Sequence, residues 1–141
     1  MATPRRHARE AVLLSLYEMD VAAHDPSEVL ERLIKERRLR EDLPDFARNL
    51  LSGVLEKRAE IDAAIERTAP AWPADQLSPI DRNILRIAIR EFLVDNLTPV
   101  GAAINEAVEM AKKFGSESSG RFINGVLGTL APDKAAVQEG E

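Results

Sequence analysis

The chain contains no cysteine. That excludes a disulfide framework, a cysteine-ligated zinc site and a thiol nucleophile. It has no apolar run near the ~18 residues that a membrane-spanning helix needs, so no membrane partner is expected. Strand signals are missing too: no segment alternates β-branched and aromatic residues between turn residues. Without a strand there is no place for a strand–loop–helix phosphate cradle rich in glycine. The histidines are His7 and His24 alone, and neither has a companion ligand at metal spacing. Acids are plentiful, but they lie on helix surfaces beside bases. They read as a solvated exterior rather than as paired catalytic carboxylates. These absences point away from an enzyme, a metal site or a cofactor, and toward a protein that works by binding.

What is present fits one domain. The chain has 141 residues, 45% hydrophobic and 30% charged. That is ordinary globular composition, and the length suits one domain with its own core. The basic start, MATPRRHARE, runs into an amphipathic stretch with Glu18 and Asp20 and has no small-residue cleavage signature. A signal peptide is not expected, and the expected location is the cytoplasm.

The periodicity is helical throughout, and proline in a first helical turn marks most starts. Thr3-Pro4 opens a helix to about residue 20, and Asp25-Pro26 one to about residue 38. The second buries Val29, Leu30, Leu33 and Ile34 and pairs Glu28 with Arg32 and Glu31 with Lys35 on its outer face. Leu43-Pro44 opens a long helical region to about residue 68. There Phe46, Leu50, Leu51, Val54 and Leu55 face inward, followed by Ile61 and Ile65. The apolar spacing lengthens near Arg58, which predicts a break. Residues 69–78 read as a loop. Ser78-Pro79-Ile80-Asp81 reads as a cap, a first-turn proline and a capping acid, starting a helix to about residue 95. Thr98-Pro99 starts the next, which ends at Phe114 with Gly115 as its cap. Ser116 or Ser118 caps the last helix, which Pro132 should stop. The fold class is therefore all-α, with residues 1–132 as the domain and 133–141 as a flexible polar tail.

The net charge of −5 alone argues against nucleic acid, but it is unevenly spread. Three arginines against Glu10 give residues 1–10 a net +2, which leaves −7 on the remainder. Such asymmetry can direct an anionic ligand to one end. Arg5, Arg9, Val12 and Leu16 share a helix face by their spacing. Arginines at a helix N-terminus oppose the macrodipole, at about 0.3–1 kcal/mol each. Either they form a solvated basic terminus, or they contact the phosphates of an RNA or DNA strand.

A second basic group, Lys112, Lys113 and Arg121, flanks the junction KKFGSESSGRF. Ser116, Ser118 and Ser119 lie there near a helix N-terminus, whose free N–H groups favour anions. Phe114 and Phe122 bracket the turn. They are either core residues or, where partly exposed, stacking surfaces for unpaired bases. The row Arg82, Arg86, Arg90 reads as neutralised by Asp81 and Glu91. Asn105-Glu106 predicts buried hydrogen bonding, and Asn124-Gly125 a close helix approach.

Three stretches in order, RRHAREAVLLSLYEMD, LSPIDRNILRIAIREFL and TPVGAAINEAVEMAKKFGSESSGRFINGVLGTLA, resemble the bacterial NusB family of transcription factors. The most specific parts are INEAVEMAKKFG and FINGVL. The resemblance covers residues 4–132; residues 21–79 match mainly in helix pattern. It implies about seven helices in two small crossed bundles. It implies pairing with NusE, a small-subunit ribosomal protein, binding to the boxA element of nascent ribosomal RNA, and joining the elongating RNA polymerase to suppress termination. It places the RNA surface on Arg5, Arg6, Arg9, Lys113, Phe114, Arg121 and Phe122, and Lys112 and Ser118 of the same junction complete the candidate RNA-binding set. The family often has an acid where this chain has Ser118, so one repulsive charge is absent here. The resemblance allows both a monomer and a homodimer. Two rivals stand beside it: a NusB-like domain of an RNA cytosine methyltransferase, and a helical dimerisation module whose basic arm is incidental.

Overall fold

Pro4, Pro26, Pro44 and Pro79 each sit in the first turn of a helix. There the missing N–H leaves no bond unmade and the fixed φ suits the helix. In a computed structural model describing residues 4–69, 77–96 and 98–139, with side-chain surroundings through 131, the described residues form seven α-helices and one π-helical turn. The helices are α1 (Pro4–Ala22), α2 (Pro26–Glu36), α3 (Leu43–Glu56), α4 (Arg58–Thr68), α5 (Pro79–Ile89), α6 (Val100–Phe114) and α7 (Ser119–Glu139). The π-helical turn, Arg90–Val94, follows α5. Most of the expected loop, residues 70–76, lies outside the described residues. The chain divides into two compact units, residues 1–57 and 58–141.

In the first unit α1 packs on both α2 and α3. Its core comes from Ala8, Ala11, Val12, Leu13 and Leu16 of α1, Val29, Leu30, Leu33 and Ile34 of α2, and Ala47, Leu50, Leu51 and Val54 of α3. These are the i, i+3, i+4 positions read from the sequence. Each fully buried leucine contributes about 1.5–3 kcal/mol. Asp25 Oδ1 accepts the Ser27 N–H at 2.9 Å and so caps α2, worth about 1 kcal/mol.

The end of α2 differs from expectation: it stops at Glu36, not near Arg38. Arg38 N–H donates to the Lys35 carbonyl and Leu39 N–H to the Ile34 carbonyl, both at 3.1 Å. This pair of bonds is a Schellman cap, which needs a left-handed residue between helix and exit. That residue is Arg38, at φ 54°. Glycine is the usual occupant; an L-residue there costs about 1 kcal/mol or more. Beside the expected attraction of Lys35 for Glu31, α2 makes bonds between helices. Arg32 reaches Glu18 at 2.8 Å, and Arg48 grips both oxygens of Glu31 at 2.8 and 2.9 Å. The Arg48 guanidinium holds Glu31 below the usual carboxylate range. Hydrogen bonds from His24 and then Arg32 do the same for Glu18.

The expected break falls at Lys57, which caps α3 and precedes α4. In the second unit α5 is central, packing against α4, α6 and α7. Every residue from Asn83 to Ile89 is buried, so the helix is enclosed on all sides. Two of those residues are polar, and both are satisfied. Arg86 forks onto the two oxygens of Asp62 of α4 at 2.8 Å each, and its Nη1 donates to Asn83 Oδ1 at 2.9 Å. Asn83 Nδ2 donates to the Pro79 carbonyl at 2.8 Å. In the arginine row, Asp62 serves Arg86 and Asp95 serves Arg90, at 2.8 Å.

Ser78 caps α5 as expected, its Oγ accepting the Asp81 N–H at 3.2 Å. Beyond Ile89 the chain does not continue as an α-helix to residue 95. It widens into the π-helical turn, closed by Asp95 N–H to the Arg90 carbonyl at 2.9 Å. Neither Asn105 nor Gly125 is buried, and no atom would meet a Cβ added at Gly125 within 4 Å. The expected close helix approach is therefore absent there; Glu106 alone of the first pair is buried. Pro132 does not stop α7, which runs on to Glu139. A mid-helix proline removes one hydrogen bond at about 3 kcal/mol; good helix formers follow it in DKAAVQE.

Candidate nucleic-acid interface

The three arginines of α1 occupy three different environments. Arg5 is exposed, Arg6 is half-buried, and Arg9 is only 5% exposed. Arg5 and Arg9 are one helical turn apart, so both reach the same neighbour, Phe46 of α3. Their guanidinium carbons lie 4.6 and 5.4 Å from its ring centroid. A cation over a ring face gains about 0.5–1 kcal/mol when exposed and about 2 when desolvated. The sequence reading puts Arg9 beside Arg5 on an open face, and the structure instead buries it. Arg9 packs beneath the arm, while Arg5 keeps its charge at the surface with its plane braced.

Phe46 is the residue that the sequence reading misplaces. Its spacing on α3 marks it as core, yet it is only half-buried. Two arginine heads lie against its ring. The signal for this lies between helices, where periodicity along one helix does not reach.

The second basic group is built on the α6–α7 turn. Lys112, Lys113, Ser118 and Arg121 are exposed, and Phe114 and Phe122 are both half-buried. Lys113 Nζ lies 5.2 Å from the Phe114 ring centroid. The two lysines occupy the last turn of α6, where a positive charge also steadies the helix by about 0.3–1 kcal/mol. Helix α7 has no acid in its first turn, which leaves its positive end open to an anion.

The turn is held by Ser119, buried at 2% exposure. Its Oγ accepts the Ser116 N–H at 2.9 Å, while its own N–H donates to the Ser116 carbonyl at 3.1 Å. Gly115 caps α6 as expected, in an extended rather than left-handed conformation. The demand for glycine there is steric. A Cβ would lie 2.5 Å from Ser119 Oγ and 2.8 Å from the Ala111 carbonyl oxygen. Of the three serines, Ser119 is the one whose positioning role the sequence reading does not single out. Arg5, Arg6 and Arg9 thus belong to the first unit, and Lys112, Lys113, Phe114, Ser118, Arg121 and Phe122 to the second.

No group of acids and histidines able to hold a metal occurs among the described residues. No described helix is long and apolar enough to cross a membrane.

The NusB family model matches residues 6–132. The transcription antitermination protein NusB of Dehalococcoides mccartyi (strain CBDB1) is 50% identical over 131 residues, 93% of this chain and 92% of its own length. That of Chloroflexus aggregans is 43% identical over 99% of this chain and 94% of its own. Among solved structures, T. maritima NusB matches at a TM-score of 0.85 with 36% identity, covering 94% of this chain and 93% of that one. The NusB chain of a crystal structure of antitermination factors NusB and NusE with dsRNA matches at 0.82 with 28% identity, covering 92% and 96%. The helical fold, the basic turns and these matches lead to one conclusion: the chain belongs to the NusB family.

Proposed function

We propose that this protein is a transcription antitermination factor. It binds the boxA element of nascent ribosomal RNA together with NusE and promotes processive transcription of ribosomal RNA operons. It acts in the cytoplasm, by binding and not by catalysis, as part of the elongating RNA polymerase complex. The observation that carries this reading is family membership across residues 6–132, with a solved relative that holds NusE and dsRNA together.

The roles divide by environment. Arg5 and Arg6 neutralise phosphates, because arginine forks match them. Arg9 acts through Phe46 and positions the arm. Lys112, Lys113 and Arg121 supply further phosphate contacts. Phe114 and Phe122 offer ring faces to unpaired bases, and Ser118 sits uncharged at the positive end of α7. Phosphate contacts fix register, and base contacts carry sequence.

The test is an RNA titration on boxA and a scrambled control, with and without NusE. The proposal expects boxA to be preferred and NusE to raise affinity. Equal, weak binding of both RNAs in either condition would overturn it.

A further inference from the structure

The segment 35–41, Lys-Glu-Arg-Arg-Leu-Arg-Glu, joins α2 to α3 and plays no part in the interface described above. It forms one wall of an open cavity of about 430 Å³, lined by Pro4 and His7 of α1 and by Arg37, Arg38, Leu39, Arg40, Glu41 and Leu43. Three arginines therefore line one concavity at the start of α1. Arg37 is already committed: its Nη1 meets the buried Glu10 at 3.0 Å. Arg38 and Arg40 are exposed. Among the described residues, neither side chain has an ion pair, so two cations remain for a ligand.

Arg38 gives a second, independent reason. It holds the left-handed position of the Schellman cap, at φ 54°. Glycine fills that position without strain, and arginine does not. Glu41, in the same turn, is left-handed too, at φ 59°. The Arg38 backbone is held on both sides, by the bonds of Arg38 and Leu39 to α2 and by Leu43 N–H to the Arg40 carbonyl at 3.1 Å. The cap thus presents Arg38 from a fixed base.

We infer that the α2–α3 turn is a second RNA-backbone site, in which Arg38 and Arg40 take phosphodiester oxygens of the strand held by Arg5 and Arg6. This rests on the RNA-binding reading above. Pro4 and His7 face the cavity while Arg5 faces Phe46, so a strand reaching both sites crosses the start of α1. An α-helix is roughly 10–12 Å across, a span of a few nucleotides. Glu41, also in the cavity wall, opposes the phosphate and moderates its binding.

Three variants test the inference by titration of a boxA RNA against salt: Arg38→Gly, Arg40→Ala and Glu41→Gln. Each lost arginine contact should lower the slope of log affinity against log salt by about 0.7 and weaken binding roughly three- to fivefold near 0.1 M salt. Arg38→Gly should do so while raising the melting temperature, since it relieves the left-handed strain. That combination separates a ligand contact from damage to the fold. Glu41→Gln should tighten binding. Unchanged affinity and slope in all three, with Arg5→Ala still weakened, would overturn the second site and leave the main reading standing. Absence of RNA binding by the unaltered protein would overturn both.

Discussion

The guanidinium of Arg5 lies 4.6 Å from the ring centroid of Phe46, with Arg9 at 5.4 Å. One ring therefore organises two charges that the helix dipole disfavours, and it separates their duties. Arg5→Ala should weaken RNA binding and lower the salt slope by about 0.7 with the melting temperature unchanged or slightly raised. Arg9→Ala should lower stability by about 1–2 kcal/mol, through lost stacking and packing of a buried arginine. Chemical denaturation beside RNA titration checks the split. Equal effects of both variants on RNA, with no effect on stability, would return Arg9 to the open face.

Phe46→Leu follows from the same contact. It keeps the apolar bulk but removes the π face, so the fold should hold while RNA affinity falls a few-fold. A variant indistinguishable from the parent in RNA titrations would show that the stack does not position the arm.

The α6–α7 turn makes a different prediction. Ser119→Ala leaves the Ser116 N–H without its acceptor, at about 1–2 kcal/mol. Gly115→Ala forces its Cβ against Ser119 Oγ and the Ala111 carbonyl. Both should loosen the rings of Phe114 and Phe122 and narrow the preference for boxA over control RNA. Phe122→Ala removes one stacking face directly, worth about 1–3 kcal/mol on boxA. Arg5→Ala should instead weaken both RNAs alike, and competition titrations separate the two patterns.

Much of this was legible in the sequence. First-turn prolines, the Ser78 cap and apolar spacing placed the helix starts and a break near Arg58, because these signals act within one helix. What escaped depends on neighbours. Phe46 reads as core until the arginines of α1 are laid across it. Arg9 reads as exposed until its helix is packed. The partner of Arg86 is Asp62, 24 residues away. The π-helical turn and the passage of α7 through Pro132 run against local preference. Arg38 breaks the glycine rule for its cap, so no local signal announces the turn.

The buried pair inside the second unit should be costly to break. Arg86 and Asp62 side chains are 7% and 25% exposed. Asp62→Ala removes the counter-charge of a buried guanidinium, and the expected loss is about 2–4 kcal/mol, reduced from the fully buried case because Asp62 is partly solvated. Urea denaturation measures it. A loss below about 0.5 kcal/mol would place the pair among surface bridges.

Acid should loosen the first unit through Glu18. His24 and Arg32 hold its carboxyl below the ordinary value of 4.5. A lowered folded-state value means the ionised form is favoured by folding. That contribution is complete above about pH 4.5 and is lost as pH falls through the depressed folded value. Glu18→Gln should lower stability slightly at neutral pH and flatten the acid limb of the pH–stability curve, the two curves converging at low pH. A steeper acid limb in the variant would contradict the assignment.

The central claim is that this chain and NusE hold one RNA jointly. Two partial surfaces sharing a strand must be coupled, and the coupling must be mutual. The direct measurement is a closed binding cycle: boxA affinity with and without saturating NusE, and NusE affinity with and without saturating boxA. The account predicts that each ligand tightens the other by the same factor, well above one, and that scrambled RNA gives a much smaller factor. A factor of one on both sides, with boxA and scrambled RNA bound alike, would contradict it.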